Sequence, residues 1–177
     1  MTNYDIFISY RREGGREIAR TIKLALEARG YSNIFFDYNS LRDGVFNEAI
    51  IAAIQNCKDF ILVLSDGAMD RCSNEDDWVA REIRTAITSG CKIIPVKVNQ
   101  GDWSWPADFP KDLSILGSIQ FTTLLTNEYF DYSIQYITER LTTEPSSKSS
   151  TTSFVSHGNP FIDTCLRNAL EGKNEFD

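Results

Sequence analysis

Apolar residues in this chain fall in short solid blocks that alternate with stretches where they recur every three or four positions. Tyr4–Tyr10 (YDIFISY) is a solid apolar and aromatic block and predicts a buried strand. Gly14 and Gly15 break it, and Ile18, Ile22, Ala25 and Leu26 then follow at helical spacing up to a stop at Gly30. Asn33–Tyr38 (NIFFDY) predicts a second strand. A polar loop at Asn39–Gly44 leads into a helix with Ile50, Ala53, Ile54 and Cys57 on one face. Asp59–Ser65 (DFILVLS) predicts the third strand, and a polar connection at Asp66–Asp77 precedes a helix from about Asp77 to Ser89, closed by Gly90. Ser73 or Asn74 is the expected cap of that helix. Lys92–Val98 (KIIPVKV) predicts the fourth strand, with Pro95 pointing to an edge or irregular position. A weak strand near Ser118–Thr123 and a helix over Asp131–Leu141 complete the pattern.

Strands alternating with helices predict an α/β fold: a parallel sheet with helices on both faces, because each crossover returns over the sheet. The first three strands read as covered on both sides. After Leu141 the composition changes, and eight of the twelve residues from Pro145 to Ser156 are Ser or Thr. Too few apolar groups remain there to offset the entropy of ordering. Beyond it Phe161, Ile162, Cys165, Leu166 and Leu170 recur at roughly helical spacing. The expected organisation is one domain over 1–142, a Ser/Thr-rich linker over 143–160, and a helical segment over 161–177, which either docks on the domain or begins a further one.

The 177 residues carry 18 Lys and Arg against 25 Asp and Glu, a formal charge of −7. That balance argues against a general phosphate-backbone binder, so no direct nucleic-acid partner is expected. The longest purely apolar run, Ala49–Ile54, is six residues, too short to span a membrane. No basic-then-apolar segment opens the chain, and its four cysteines (Cys57, Cys72, Cys91, Cys165) form no CxxC pair. Reduced thiols and a cytoplasmic location are the expectation. The one histidine, His157, lies in the polar tail, which disfavours a Ser-His-Asp triad or a multi-histidine metal site.

In an open parallel sheet, ligands bind at the carboxyl ends of the strands where strand order reverses. For a five-strand sheet in flavodoxin-like order, that point lies between strands one and three. Ser9, Tyr10, Arg11 and Arg12 end strand one; Ser65 and Asp66 end strand three; the loop Asn39–Phe46 borders the same edge. Gly14-Gly15 is no GxGxxG fingerprint, and no GxxxxGK[ST] loop occurs, which disfavours a redox dinucleotide enzyme and a P-loop NTPase. Trp78 and Glu82 are four residues apart, hence on one helix face, beside the apolar stripe Val79, Ile83, Ala86 and Ile87. Taken alone, Glu82 reads as a solvated helix glutamate near Arg81 and Arg84, and Trp78 as packing. Arg11 and Arg12 read either as surface charge or as phosphate-neutralising groups. The acidic run Glu75, Asp76 and Asp77 reads as charge complementing the helix dipole.

The chain resembles a TIR domain over about residues 3–141. YDIFISYRR at Tyr4–Arg12, IFFDYNSLRDG at Ile34–Gly44, DFILVLSDGAMDRC at Asp59–Cys72 and DDWVAREIRTAI at Asp76–Ile87 carry the resemblance, with IIPVKV at Ile93–Val98 followed by Trp103 and Trp105. It is similar in particular to the NAD-cleaving TIR domains of bacterial antiphage systems and of the animal axon-degeneration enzyme. The resemblance implies a five-strand flavodoxin-like sheet of order 2-1-3-4-5. It implies a catalytic glutamate four residues after a tryptophan, here Glu82 after Trp78, an arrangement that adaptor TIR domains generally lack. It implies that the loop Leu41–Phe46, with Asp43 and Phe46, shapes the pocket and makes assembly contacts, and that Tyr10, Arg11 and Arg12 contribute to substrate binding.

On this resemblance the expected activity is NAD+ glycohydrolase or cyclase, giving nicotinamide plus ADP-ribose or a cyclic ADP-ribose isomer, in bacterial antiphage defence or cell-death signalling. NAD+ is then the substrate, and no cofactor or metal is expected. Nicotinamide departs neutral from a cationic pyridinium, so no general acid has to protonate it, and one carboxylate beside an oxocarbenium-like ribose suffices. Expected partners are other copies of the chain, through the Asn39–Phe46 loop, and a downstream sensor domain or protein. The competing readings are a non-enzymatic TIR interaction module acting by self-association, and a nucleotide-binding regulator without catalysis.

Overall fold

The computed structural model describes residues 4–36, 44–98 and 104–146, and only the backbone of 44–47. The elements in chain order are β1 (Ile6–Tyr10), α1 (Arg12–Ala28), β2 (Ile34–Phe35), α2 (Gly44–Asn56), β3 (Asp59–Leu64), α3 (Trp78–Ser89), β4 (Lys92–Val98), a 3-10 helix at Lys111–Ser118, β5 (Thr122–Leu124) and α4 (Phe130–Arg140). All four ladders are parallel, and the strand order is β2-β1-β3-β4-β5. The expected flavodoxin-like winding is therefore present, with β1 and β3 side by side at the reversal point. Among the described residues, no helix is long and apolar enough to cross a membrane.

Strand periodicity divides the core in two. Ile6 and Ile8 of β1 join Ile61 and Val63 of β3 against Ile22 and Leu26 of α1 and Ile134 and Ile137 of α4. Phe7, Phe60, Leu62 and Leu64 point the other way, against Ile50 and Ile54 of α2 and Val79 and Ile83 of α3. Because both faces are covered, β3 reads as an apolar run and β1 does so but for Ser9. Phe7 lies between the rings of Phe35 and Phe60, stacked on each at centroid distances of 4.9 and 5.4 Å.

The structure adds detail to four of these expectations. β2 is the sheet's outer strand and, among the described residues, pairs only at Ile34 and Phe35; Asp37 and Tyr38 lie outside the described residues. Pro95 sits in an interior strand, but β5 pairs with β4 only from Val96 onward, so one flank of β4 at Pro95 has no ladder partner to lose. The segment Lys111–Ser118 is a 3-10 helix that buries Leu113 and Leu116, three apart as that helix requires, and the last strand starts at Thr122. The packed chain also runs past residue 142. Asp59, fully buried at the start of β3, accepts bonds from the backbone N–H of Thr142 (2.9 Å) and Thr143 (2.8 Å) and from the Thr143 hydroxyl (2.7 Å). The N–H of Ser146 then donates to the Gly30 carbonyl at 2.8 Å. Residues 147–177, with the rest of the expected linker and the helical segment, lie outside the described residues, as does Trp103.

Candidate functional site

The carboxyl ends of β1 and β3 meet the amino end of α3. The turn out of β1 is made by Gly14, at φ +79°, and Gly15, where a Cβ would stand 3.3 Å from the Cβ of Tyr10 and 3.4 Å from Ser65 Oγ. A side chain at Gly15 would crowd Tyr10 and Ser65, and one at Gly14 would be strained by its positive φ, which is why two glycines interrupt the pattern. Ser65 lies beneath this turn, 4 % exposed.

α3 begins at Trp78, and its N-cap is Asp77, whose Oδ1 accepts the N–H of Ala80 at 2.9 Å. The expected cap at Ser73 or Asn74 is thereby corrected. The connection keeps turning as far as Asp77, and Asn74 serves instead in a local turn, accepting the N–H of Asp76 at 3.0 Å. Asp77 is thus more than one charge in an acidic run near a helix dipole: it is buried, and it receives the guanidinium of Arg11.

That contact engages Arg11, which the resemblance assigns to substrate binding, within the frame of the fold. Arg11 is 7 % exposed, and its Nη1 and Nη2 donate to the two carboxylate oxygens of Asp77. Its Nε (3.0 Å) and Nη2 (2.9 Å) donate to the Ala68 carbonyl in the loop after β3. A buried guanidinium must be matched in this way, because an unpaired charge there is strongly unfavourable. Arg11 therefore ties together the end of β1, the β3 loop and the start of α3. Arg12, at the first position of α1, is exposed. Tyr10 is half-buried and stacks on Phe36 at 5.3 Å. Asp43, and the side chain of Phe46, lie outside what the structure describes.

Trp78 and Glu82 stand one turn apart on α3, both half-buried at the rim of the core. The guanidinium carbon of Arg81 lies 5.0 Å from the centroid of the Trp78 ring, a cation–π contact. Glu82 reaches across to β1, where Ser9 Oγ donates to its Oε2 at 2.6 Å. Ser9 is 1 % exposed. The sequence placed Ser9 at the strand end without giving it a partner. A signal was present: a lone hydroxyl on the otherwise apolar face that Phe7 defines.

A carboxylate fixed at a sheet's switch point, beside an indole, can stabilise positive charge developing on a bound ligand. The neighbouring thiol is unsuited to attack, since burial and then the charge of Asp77 push the Cys72 pKa up to about 12. At the outer lip, Arg71 pairs with Glu13 at 2.7 Å and bridges the β3 loop to the start of α1.

Comparison with known proteins places this geometry. The sequence profile described as "TIR domain" matches residues 6–135. A relative named "NAD(+) hydrolase sarm1" from Drosophila melanogaster is 40% identical over 112 residues, covering 62% of this chain and 8% of that protein. "NAD(+) hydrolase SARM1" from Danio rerio is 37% identical over 148 residues, covering 81% of this chain and 20% of that protein. The chain thus spans a fifth or less of the length of these two curated relatives. Among solved structures, the TIR domains of the activated Roq1 resistosome share the fold at a TM-score of 0.59 and 18% identity, covering 77% of this chain and 98% of that one.

Proposed function

Because the chain belongs to the TIR domain family, we propose that it cleaves the bond between nicotinamide and ribose in NAD+, with Glu82 as the anion beside the reacting sugar. One observation carries the reading: the carboxylate that follows a tryptophan by one turn is held at the switch point of the sheet by a buried hydroxyl, 2.6 Å away. Two relatives named for NAD(+) hydrolysis support it.

The chemistry asks little of the protein beyond electrostatics. The C1′–N1 bond breaks, and its electron pair goes to the pyridinium nitrogen, so nicotinamide leaves neutral. The ribosyl carbon becomes oxocarbenium-like, and the Glu82 carboxylate stabilises that charge. Trp78 forms a wall beside the reacting half. With Arg11 bound to Asp77, Arg12 is the guanidinium proposed for the pyrophosphate. Tyr10 shapes the adjoining wall. In hydrolysis, water forms the new C1′–O bond and releases one proton to solvent, giving ADP-ribose. Attack by a group of the same molecule gives a cyclic isomer instead, which a drier pocket favours.

The finer parts of the reading extend the family resemblance. Copies of the chain assemble through the Asn39–Phe46 loop, with Asp43 and Phe46 completing the pocket, and the setting is defence or cell-death signalling in a cytoplasm. A downstream domain or partner supplies the trigger.

The test is nicotinamide release from NAD+ by the native chain and by Glu82→Gln, followed by chromatography. Loss of a carboxylate contributing about 3–4 kcal/mol lowers turnover roughly 10²–10³-fold. Unchanged turnover in a folded Glu82→Gln protein removes the reading. No release by the native chain, even when concentrated into assemblies, favours the interaction module instead.

A further inference from the structure

Ser9 interrupts an apolar face. Along β1, Ile6 and Ile8 face α1 and α4, while Phe7 and Ser9 face the side covered by α2 and α3. On that side the sheet presents Phe7, Phe60, Leu62 and Leu64, all buried and apolar. An alanine or valine at position 9 would suit such a face better than a hydroxyl, which loses its water partners at 1 % exposure. The hydroxyl is compatible with this position because its one proton goes to Glu82 Oε2. The bond joins the middle of the molecule to a helix rim 73 residues further along the chain, so nothing local in sequence enforces it.

Resting on the reading of Glu82 given above, we propose that Ser9 is a positioning residue of the NAD+-cleaving site: its hydroxyl fixes Oε2 of the Glu82 carboxylate against β1. A glutamate on a helix rim has three side-chain torsions to restrict, and an unrestrained carboxylate meets the sugar in many orientations. A donor aimed at one oxygen selects a single orientation before substrate arrives. Ser9 is attached to the most buried part of the sheet, so its own position varies little. It touches no substrate and takes part in no bond exchange. Its effect passes through Glu82 alone.

The test uses the full chain and measures nicotinamide release against NAD+ concentration for Ser9→Ala, Ser9→Cys and Glu82→Gln. Ser9→Ala is expected to lower kcat roughly 10- to 100-fold, the effect of losing a hydrogen bond to a charged group, with KM changed by no more than about twofold. Ser9→Cys, a weaker donor, is expected to fall between native and Ser9→Ala. In a Glu82→Asp background, where the carboxylate is withdrawn by one methylene from the serine, adding Ser9→Ala is expected to cost little more. A native kcat in Ser9→Ala overturns the proposal, and so does an equal further loss in the Glu82→Asp background, which marks Ser9 as merely structural. The two failures are distinguishable. Native turnover in Glu82→Gln removes the reading of the site, whereas an inactive Glu82→Gln beside a fully active Ser9→Ala removes only the role of Ser9. Should Ser9→Ala unfold at assay temperature, Ser9→Cys carries the same comparison.

Discussion

Arg11 and Asp77 form an ion pair with side-chain exposures of 8% and 5%, closed over by the Ala68 carbonyl. The pair joins the carboxyl end of β1 to the cap of the helix that carries Glu82. A guanidinium at a strand end, read from sequence, suggests phosphate; here it is committed to the frame. Asp77 does two things at once, capping α3 through Ala80 and neutralising Arg11. Removing either partner leaves the other charge buried alone, at a cost of about 3–5 kcal/mol. For Arg11→Ala and Asp77→Ala, calorimetry is therefore expected to show Tm lower by roughly 10 °C or more, at a few degrees per kcal/mol. Arg11→Lys should restore only part of this, since an ammonium cannot span the carboxylate and the Ala68 carbonyl together.

Arg12 should behave in the opposite way. It is exposed, so Arg12→Ala is expected to leave Tm within about 1 °C of native, as surface substitutions usually do. Its effect should appear as KM for NAD+ raised roughly tenfold at nearly constant kcat, because a charged hydrogen bond to pyrophosphate is present in ground and transition states alike. Steady-state kinetics beside a melting curve separate the neighbouring arginines. A KM unchanged in Arg12→Ala would place the pyrophosphate elsewhere.

Assembly makes a third expectation. If the Asn39–Phe46 loop of one copy helps complete the pocket of another, Phe46→Ala and Asp43→Ala lower turnover and oligomer content together. Light scattering and nicotinamide release, measured on the same samples across concentration, read both. A dilute monomer with full activity would break the link.

Much of this arrangement is legible in the chain, and what is not has physical causes. IFIS and FILVL announce strands covered on both faces, and the Val79, Ile83, Ala86, Ile87 stripe announces the helix that follows the second of them. Trp78 and Glu82 follow from helical spacing. The partners do not: Ser9 and Glu82 are 73 residues apart, and Arg11 and Asp77 are 66 apart. No periodicity reports which polar groups meet across a fold. The 3-10 helix at Lys111–Ser118 was hidden because two buried leucines three apart suit several local structures. The docking of Thr142 and Thr143 was hidden because its driving group, Asp59, opens a strand where a charge reads as a boundary.

The Asp59 contacts carry their own test. Chains ending at residue 142 lose the Thr143 N–H and hydroxyl bonds to a buried carboxylate, at a cost of about 2–4 kcal/mol. Chains ending at 147 keep them. Denaturant titration of the two should show a lower midpoint for the shorter at unchanged slope. Asp59 lies at the amino end of β3, away from Glu82, so nicotinamide release by the still-folded fraction should match in both.

Alkaline pH should destabilise the fold through its buried thiols. Burial first, then the charge of Asp77, raises the Cys72 pKa to about 12, and burial beside Cys91 raises that of Cys57 as well. In the unfolded chain both thiols titrate near the ordinary value of about 8.5. The unfolded state therefore loses protons first as pH rises, and stability that is full below that value falls as pH climbs toward 12. Melting curves from pH 7 upward are expected to hold nearly level to about pH 8.5 and then decline. Replacing Cys72 with Ala should flatten part of that decline while costing some stability at neutral pH, because the side chain is fully buried. Alkylation reads the same burial directly. At pH 8 the half-exposed Cys91 should react before Cys57 and Cys72, although its sulfur lies only 3.4 Å from that of Cys57. Reaction of Cys72 in the native protein at the rate of a free thiol would contradict the burial on which the alkaline decline depends.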